Sequence, residues 1–310
     1  MAAKRILLIA NPASGQHRGE RRLAQASERL ASLGHAVTGT LTESAGHATR
    51  LAKSNAPDFE IIAALGGDGT VNEVANGLMA VEPGERPALA TLPVGTGNDV
   101  ALTYGLAHFE SAIDALAKGS TRTLDVIRVQ LMRDGKSVTR HALLFVAAGF
   151  AAEVIRKTGP RVKRIFGRRF SYSVGLFRAL ASFRAPEFSV KWDGGEQSGR
   201  MFQVCAGNTE FAAGGVMRIS PGARPDDGLL NISLVDVLGR LQIVRRFPSI
   251  LSGGYVEDER VDYFTGKRLE IDAVPPAEFQ ADGDIIGTTP ATIELLPGAL
   301  QLVVQDQFQV

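Results

Sequence analysis

Between Arg5 and Leu92, short apolar runs alternate with longer polar stretches in which apolar residues recur every three or four positions. The runs Arg5–Ala10, Ala36–Leu41, Glu60–Leu65 and Ala88–Leu92 read as strands. The uniformly apolar ones fit strands buried on both faces of a parallel sheet. Leu23, Ala26, Leu30 and Leu33 fall on one helical face, as do Val71, Val74, Ala75 and Leu78. Strand and helix in alternation predict a parallel sheet covered by helices, with ligand loops at the carboxyl ends of its strands.

Beyond Thr123 the pattern changes. Leu124–Leu131, Ala142–Ala147, Phe188–Trp192, Phe202–Ala206, Leu229–Val235, Arg268–Ala273 and Thr292–Leu296 read as strands. They are punctuated by turns at Asp134-Gly135, Asp193-Gly194-Gly195, Asp227-Gly228 and Asp282-Gly283. Many short strands with turn signals predict a β-rich second domain, a sandwich or barrel. Helical segments near Tyr172–Phe183 and Leu241–Leu251 interrupt it.

Composition narrows the function classes. A chain of 310 residues, 45% hydrophobic and 22% charged, has room for two domains with cores of their own. Lys plus Arg (34) nearly balances Asp plus Glu (33), which argues against binding nucleic acid by bulk charge. Cys205 is the single cysteine, so no intrachain disulfide forms, and with it the five scattered histidines give no zinc-type spacing. The apolar run Ile6–Ala10 is too short for a signal peptide. The stretch Ala142–Ala152 is well short of the ~20 residues of a spanning helix. The expectation is a soluble, cytoplasmic protein whose membrane contact is peripheral, at the inner membrane surface.

The strongest chemical signal is Leu65-Gly66-Gly67-Asp68-Gly69-Thr70, an apolar strand running through glycines into a helix. Glycine lets backbone approach a phosphate closely, and a helix N-terminus offers unpaired N–H groups to an anion. A carboxylate among such glycines is better used on Mg²⁺ than on phosphate itself. Alone, the motif could equally be a tight turn capped by Asp68. Two further loops of the same kind follow predicted strands: Asn11 through Ser14 and Gly15, and Pro93 through Gly95, Thr96, Gly97, Asn98 and Asp99. Three such loops at one edge of a parallel sheet would converge on one polyphosphate.

These motifs together resemble the diacylglycerol kinase catalytic-domain family, which includes bacterial lipid kinases, sphingosine kinases and ceramide kinases. The resemblance continues through Asn208, Gly214-Gly215, Pro221, Asp227-Gly228-Leu229 and Asp282-Gly283-Asp284, so it covers nearly the whole chain. It implies an ATP- and Mg²⁺-dependent kinase acting on a lipid hydroxyl. The implied fold is an N-terminal three-layer α/β nucleotide-binding domain over residues 1–125 and a C-terminal β-sandwich over 126–289. Residues 290–310 would return to the first domain, and the active site would lie in the cleft. ATP contacts would fall on the Asn11, Ser14 and Gly15 loop, on Thr42, on Gly66, Gly67, Asp68, Gly69, Thr70, Val71, Asn72 and Glu73, and on Gly95, Thr96 and Asn98. Asp68, Asp99 and Asp125 would surround catalytic Mg²⁺. A second, structural Mg²⁺ would use the Asp227 carboxylate with the Arg224 and Leu229 carbonyls. Asp282 would take the proton of the lipid hydroxyl. The family usually reads Asp-Gly-Glu where this chain has Asp282-Gly283-Asp284, one methylene shorter at the second carboxylate. Taken without the family, Asp282-Gly283 signals a hairpin turn.

Arg156 to Arg184 holds nine basic residues, among them Arg161, Lys163, Arg164, Arg168 and Arg169, and no acid. Ile165, Phe166, Phe170, Tyr172, Leu176, Phe177, Leu180 and Phe183 are interleaved. The segment fits docking on anionic lipid, and equally a helical insertion with solvated arginines. Cys205 reads as a buried strand residue and Trp192 as packing at a hairpin end. Competing functions are a soluble-substrate kinase such as NAD kinase or 6-phosphofructokinase, and a non-catalytic lipid or nucleotide sensor of the same fold. The first lacks the combined loops. The second would be expected to have lost Asp68, Asp99, Asp125 and Asp282.

Overall fold

The computed structural model describes residues 3–95, 97–158 and 174–305. Its first part runs β1 (Arg5–Ala10), α1 (Ser14–His17), α2 (Gly19–Ser32), β2 (Ala36–Leu41), α3 (His47–Asn55), β3 (Ile61–Gly66), α4 (Asp68–Met79), β4 (Ala88–Pro93), α5 (Asp99–Thr103) and α6 (Phe109–Lys118). The strands pair in parallel in the order β2-β1-β3-β4, with Ile6 beside Ile61 and Ile61 beside Ala88. Successive residues of β1 face opposite sides. Ile6, Leu8 and Ala10 join Ala26, Leu30, Ile113 and Leu116 of α2 and α6. Leu7 and Ile9 join Ala48, Ala52, Val74 and Leu78 of α3 and α4. This is the three-layer arrangement the uniformly apolar strands predict, and it sets three glycine loops side by side at the carboxyl edge.

The second part begins with β5 (Thr121–Arg133), β6 (Lys136–Ala142), β7 (Phe145–Gly149) and α7 (Phe150–Lys157). Helix α8 is described over 174–182. Then come β8 (Glu187–Trp192), β9 (Gly195–Gly207), β10 (Phe211–Ala212), β11 (Met217–Arg218), β12 (Leu230–Asp236), α9 (Arg240–Ser252), β13 (Val261–Gly266), β14 (Arg268–Val274), β15 (Glu278–Ala281) and β16 (Asp284–Val303). The strands enclose a core of β-branched and aromatic residues, including Ile127, Val129, Phe188, Val190, Val204, Ile232, Ile271, Phe279 and Ile293. Trp192 ends β8 and packs on Phe264, ring centroids 4.6 Å apart. Cys205 is buried, and desolvation pushes its thiol up to about 12, well away from reactivity.

Five strands escape the hydrophobic pattern, among them the two-residue β10 and β11. In β6, Lys136, Ser137, Thr139 and Arg140 are exposed, so little apolar periodicity exists to be read. β13 and β15 are short and interrupted by polar residues. The strands of the two parts also join into one hydrogen-bonded sheet, fourteen-stranded among the described residues. β16 pairs with β5 from Thr288 to Leu296, shifts register around Gly298, then pairs Leu300–Val303 with Leu124–Thr121. Leu302 there sits parallel to Leu89 of β4.

Candidate active site

The three glycine loops meet. Val94 donates its N–H to the Gly66 carbonyl at 2.9 Å, and Asn11 donates to the Leu65 carbonyl at 3.1 Å. A β-carbon on Gly95 would lie 2.6 Å from the Gly67 α-carbon, and one on Gly15 would lie 2.6 Å from the Val94 carbonyl oxygen. Only glycine permits that approach, and Gly15 also holds φ at +60°. Asn98 takes the left-handed conformation, and its amide donates to the Gly95 carbonyl at 2.9 Å. Its Oδ1 is buried without a partner among the described residues.

Asp68 and Asp99 stand at the centre of these loops. Val100 N–H donates to Asp68 Oδ1 at 3.1 Å, tying the first turn of α5 to that of α4. Gly214 and Gly215 N–H donate to Asp99 Oδ1 at 2.7 and 3.1 Å, so this carboxylate grips a loop of the second part. The other oxygens converge: a β-carbon on Gly97 would lie 2.9 Å from Asp68 Oδ2 and 3.6 Å from Asp99 Oδ2. Burial, and then the neighbouring Asp68, push the Asp99 carboxyl above its ordinary range.

Asp282 lies at the tip of the β15–β16 hairpin, with φ +46° at Asp282 and +88° at Gly283. The Asp-Gly hairpin signal and the family motif therefore describe the same turn. Its carboxylate accepts four hydrogen bonds. Leu143 N–H and the Asn72 amide reach Oδ2 at 2.7 and 2.9 Å; Leu144 and Phe145 N–H reach Oδ1 at 3.0 and 3.1 Å. Burial pushes this carboxyl up to about 6, and the four donors act in the opposite direction. The Asn72 amide also donates to the His141 carbonyl, and Asn76 both donates to that carbonyl and accepts His141 N–H. Helix α4, which starts at the phosphate-type loop, is thus bolted to the strand ends that carry Asp282.

The comparisons with known proteins agree with this architecture. Residues 5–129 match the diacylglycerol kinase catalytic domain, and residues 144–304, just over half the chain, match the YegS C-terminal NAD kinase beta sandwich-like domain. The chain is 28% identical over 292 residues to a diacylglycerol kinase of Bacillus subtilis strain 168, covering 93% of this chain and 92% of that one. A diacylglycerol kinase of Staphylococcus aureus strain bovine RF122 / ET3-1 is 28% identical over 290 residues, covering 93% and 88%. A crystal structure of a candidate diacylglycerol kinase from Bacillus anthracis strain Sterne superposes with a TM-score of 0.79 at 26% identity, covering both chains completely. The chain belongs to the diacylglycerol kinase catalytic-domain family.

Within this kinase family fold, the structure redistributes several expected roles. Asn11, Ser14, Gly15, Gly66, Gly67, Asp68, Gly69, Thr70, Gly95 and Asn98 do gather at the strand ends, and Thr42 follows β2 there, its N–H on the Ala10 carbonyl at 2.8 Å. Thr96 lies outside the described residues, as do Arg161, Lys163, Arg164, Arg168 and Arg169. The Val71 side chain is buried in the core against Ile62 and Ala64, so only its backbone borders the loop. The Asn72 amide is committed to Asp282 and His141 rather than to the nucleotide side. Glu73 caps α3, accepting Gly46 and Ala48 N–H at 2.9 and 3.2 Å. Its sequence neighbours suggested a ligand contact; its chemistry is that of a helix cap.

Asp125, expected with Asp68 and Asp99 around Mg²⁺, is held by backbone N–H groups. It is 3% exposed, its oxygens taking Gly298 and Gly228 N–H, each at 2.7 Å. Among the described residues no group of three or more His, Cys, Asp or Glu is arranged to hold a metal. Asp125 instead pins the 224–229 turn and the register shift of β16 to β5. On that turn the Asp227 carboxylate, exposed, accepts Leu229 N–H at 2.9 Å, and the Arg224 side chain reaches Asp226 at 3.6 Å.

Asp282, the expected proton acceptor, is closely held. A carboxylate offers about four lone-pair sites, and its four donors fill them. It acts as a clasp on residues 143–145. Asp284, two residues on and exposed at the start of β16, is the carboxylate the turn presents outward. Three of the clasp's four donors were missed in the sequence because they are backbone N–H groups, which leave no residue signature; the fourth, Asn72, was expected at the nucleotide. Asn76, His141 and Gln280 were also missed. Gln280, fully buried, accepts Gly283 N–H at 2.9 Å and so fixes the turn from the other side.

Proposed function

We propose that this kinase transfers the γ-phosphoryl group of ATP, with Mg²⁺, to a hydroxyl of a lipid such as diacylglycerol, working peripherally at the inner membrane surface. The observation that carries the reading is the convergence of Asp68 Oδ2 and Asp99 Oδ2 on Gly97, beside three glycine loops and a helix N-terminus. Mg²⁺ is held through one or two carboxylates, its remaining positions being filled by water and phosphate oxygens, so two carboxylates suffice. Burial first, and the neighbouring Asp68 second, raise the Asp99 carboxyl, and a cation between the two would relieve the second effect. When bound, Mg²⁺ supplies charge neutralisation on the phosphate oxygens. The glycine-loop N–H groups orient the polyphosphate, and the latch from Asn72 to Asp282 fixes the acceptor side relative to it.

In this proposal Asp284 takes the hydroxyl proton and Asp282 positions the turn. The Asp227 carboxylate with the Arg224 and Leu229 carbonyls is a second cation position, on a turn already ordered by Asp125. Residues 1–125 with 290–310 form the nucleotide unit, and 126–289 the lipid unit. The basic segment from Arg156 to Arg184 meets the membrane. Among the described residues no helix is long and apolar enough to cross one.

The test is phosphate transfer from radiolabelled ATP to a lipid panel in mixed micelles, with and without Mg²⁺, and with Asp284→Asn as control. A labelled, organic-extractable product that requires Mg²⁺ and Asp284 is expected. ATP binding with no product from any lipid would favour the sensor instead.

A further inference from the structure

We infer that α9, together with α8, forms a lipid-docking face by which the protein rests on an anionic bilayer; the inference builds on the lipid-kinase reading above. A helix on a globular surface normally turns its apolar stripe inward. In α9, positions 241, 244, 245 and 248, spaced i, i+3, i+4, i+7, are exposed, and three of them are Leu241, Val244 and Pro248. Leu241 is 63% and Val244 55% exposed. The opposite side is anchored by Ile243, buried with Phe150, Phe202 and Val235. Arg240 donates to the Ala181 carbonyl at 2.8 Å, which brings α8 alongside. There Phe177, 69% exposed, and Arg178 face outward.

Charge selects the occupant. Residues 174–186 and 237–256 contain Arg178, Arg184, Arg240, Arg245 and Arg246, and no Asp or Glu. Arg246 is paired with Asp258, and Asp236, Glu257 and Glu259 flank the 237–256 segment, while within it every charge is an arginine. An apolar ridge among same-sign cations matches the interface of an anionic membrane, where apolar side chains insert and arginines meet headgroups. A second copy fits poorly, because a two-fold contact would set this positive face against itself. The face is also well placed for the chemistry. Beneath it the Phe150, Phe183 and Phe202 rings pack at 4.5–5.6 Å, and Phe150 directly follows β7, whose first residue, Phe145, is held by Asp282.

The experiment compares the full chain with the double variant Leu241→Gln/Val244→Gln and with Arg245→Glu. Binding is measured by flotation on phosphatidylcholine vesicles with and without phosphatidylglycerol. Transfer to a short-chain, water-soluble diacylglycerol and thermal melting are followed in parallel. We expect the double variant to lose about tenfold or more in vesicle partitioning. Arg245→Glu should lose at least roughly fivefold, and only on vesicles containing phosphatidylglycerol. Short-chain transfer and melting should stay at the wild-type level. Wild-type flotation by both variants, or no flotation by the wild type, overturns the docking face while short-chain transfer leaves the kinase reading standing. Vesicle binding that depends on Leu241, with no transfer to any lipid, does the reverse. A wild-type dimer that the double variant converts to monomer would assign the face to self-association and overturn the proposal.

Discussion

Replacing Asp282 with Asn should destabilise the protein, whereas the same change at Asp284 should stop catalysis. Asn tolerates the left-handed conformation at position 282, so the backbone at φ +46° is not the issue. The difficulty is hydrogen-bond parity. The ionised carboxylate accepts from Leu143, Leu144 and Phe145 N–H and from the Asn72 amide. An Asn side chain has one acceptor oxygen and one amide group. With the oxygen kept on Leu144 and Phe145, the new amide confronts two donors. Asn72 cannot simply flip to answer it, because its Oδ1 accepts from Asn76 at 3.0 Å. At least the Leu143 N–H is left buried and unpaired, at a cost of about 1–3 kcal/mol. For a chain of this size that lowers the melting temperature by roughly 2 °C per kcal/mol. Asp284→Asn should lose about 10²–10⁴-fold in turnover if it removes the proton acceptor. Differential scanning fluorimetry and the lipid-transfer assay read both effects. An Asp282→Asn protein with wild-type melting and no turnover, beside a fully active Asp284→Asn protein, would return the proton-acceptor role to Asp282 and refute the lone-pair argument.

Transfer should decline as pH falls through about 6, where Asp282 gains a proton and can no longer accept from all its donors; a rate flat from pH 7 to 5 would contradict this. Asp99→Asn should raise the Mg²⁺ concentration for half-maximal activity at least tenfold and weaken the hold on Gly214 and Gly215, which a magnesium titration and limited proteolysis of that loop would detect. Glu73→Ala should remove the cap of α3, lowering stability by about 1 kcal/mol in denaturant melts and raising KM for ATP with little change in kcat. Gly95→Ala should abolish nucleotide binding in a fluorescent-analogue titration, since its β-carbon would collide with the Gly67 backbone.

The apolar runs and the strand–glycine–helix sequence were enough to specify the first part of the chain. β1 and β2 coincide with their predicted ranges, β3 is shifted by one residue and β4 is one residue longer. Such local features survive in sequence because a buried parallel strand must be apolar on both faces and a phosphate-type turn must be glycine. The glycine loops, the family resemblance and the Asp-Gly turn were legible for the same reason. The division of labour among the carboxylates was not. Asp68, Asp99, Asp125 and Asp282 are chemically alike in sequence, and each sits near glycine or a strand end. Only the folded chain decides which oxygens meet backbone N–H groups and which are left facing a common gap. Asp125 and Asp282 are engaged by donors brought from 103 to 210 residues away along the chain, as with Gly228 and Gly298 for Asp125 and Asn72 for Asp282. Asp68 and Asp99 converge because β3 and β4 are adjacent. The exposed stripe of α9 is equally a tertiary result: helical spacing gives it two apolar sides, and packing of Ile243 on the phenylalanine cluster determines which one is left to the outside.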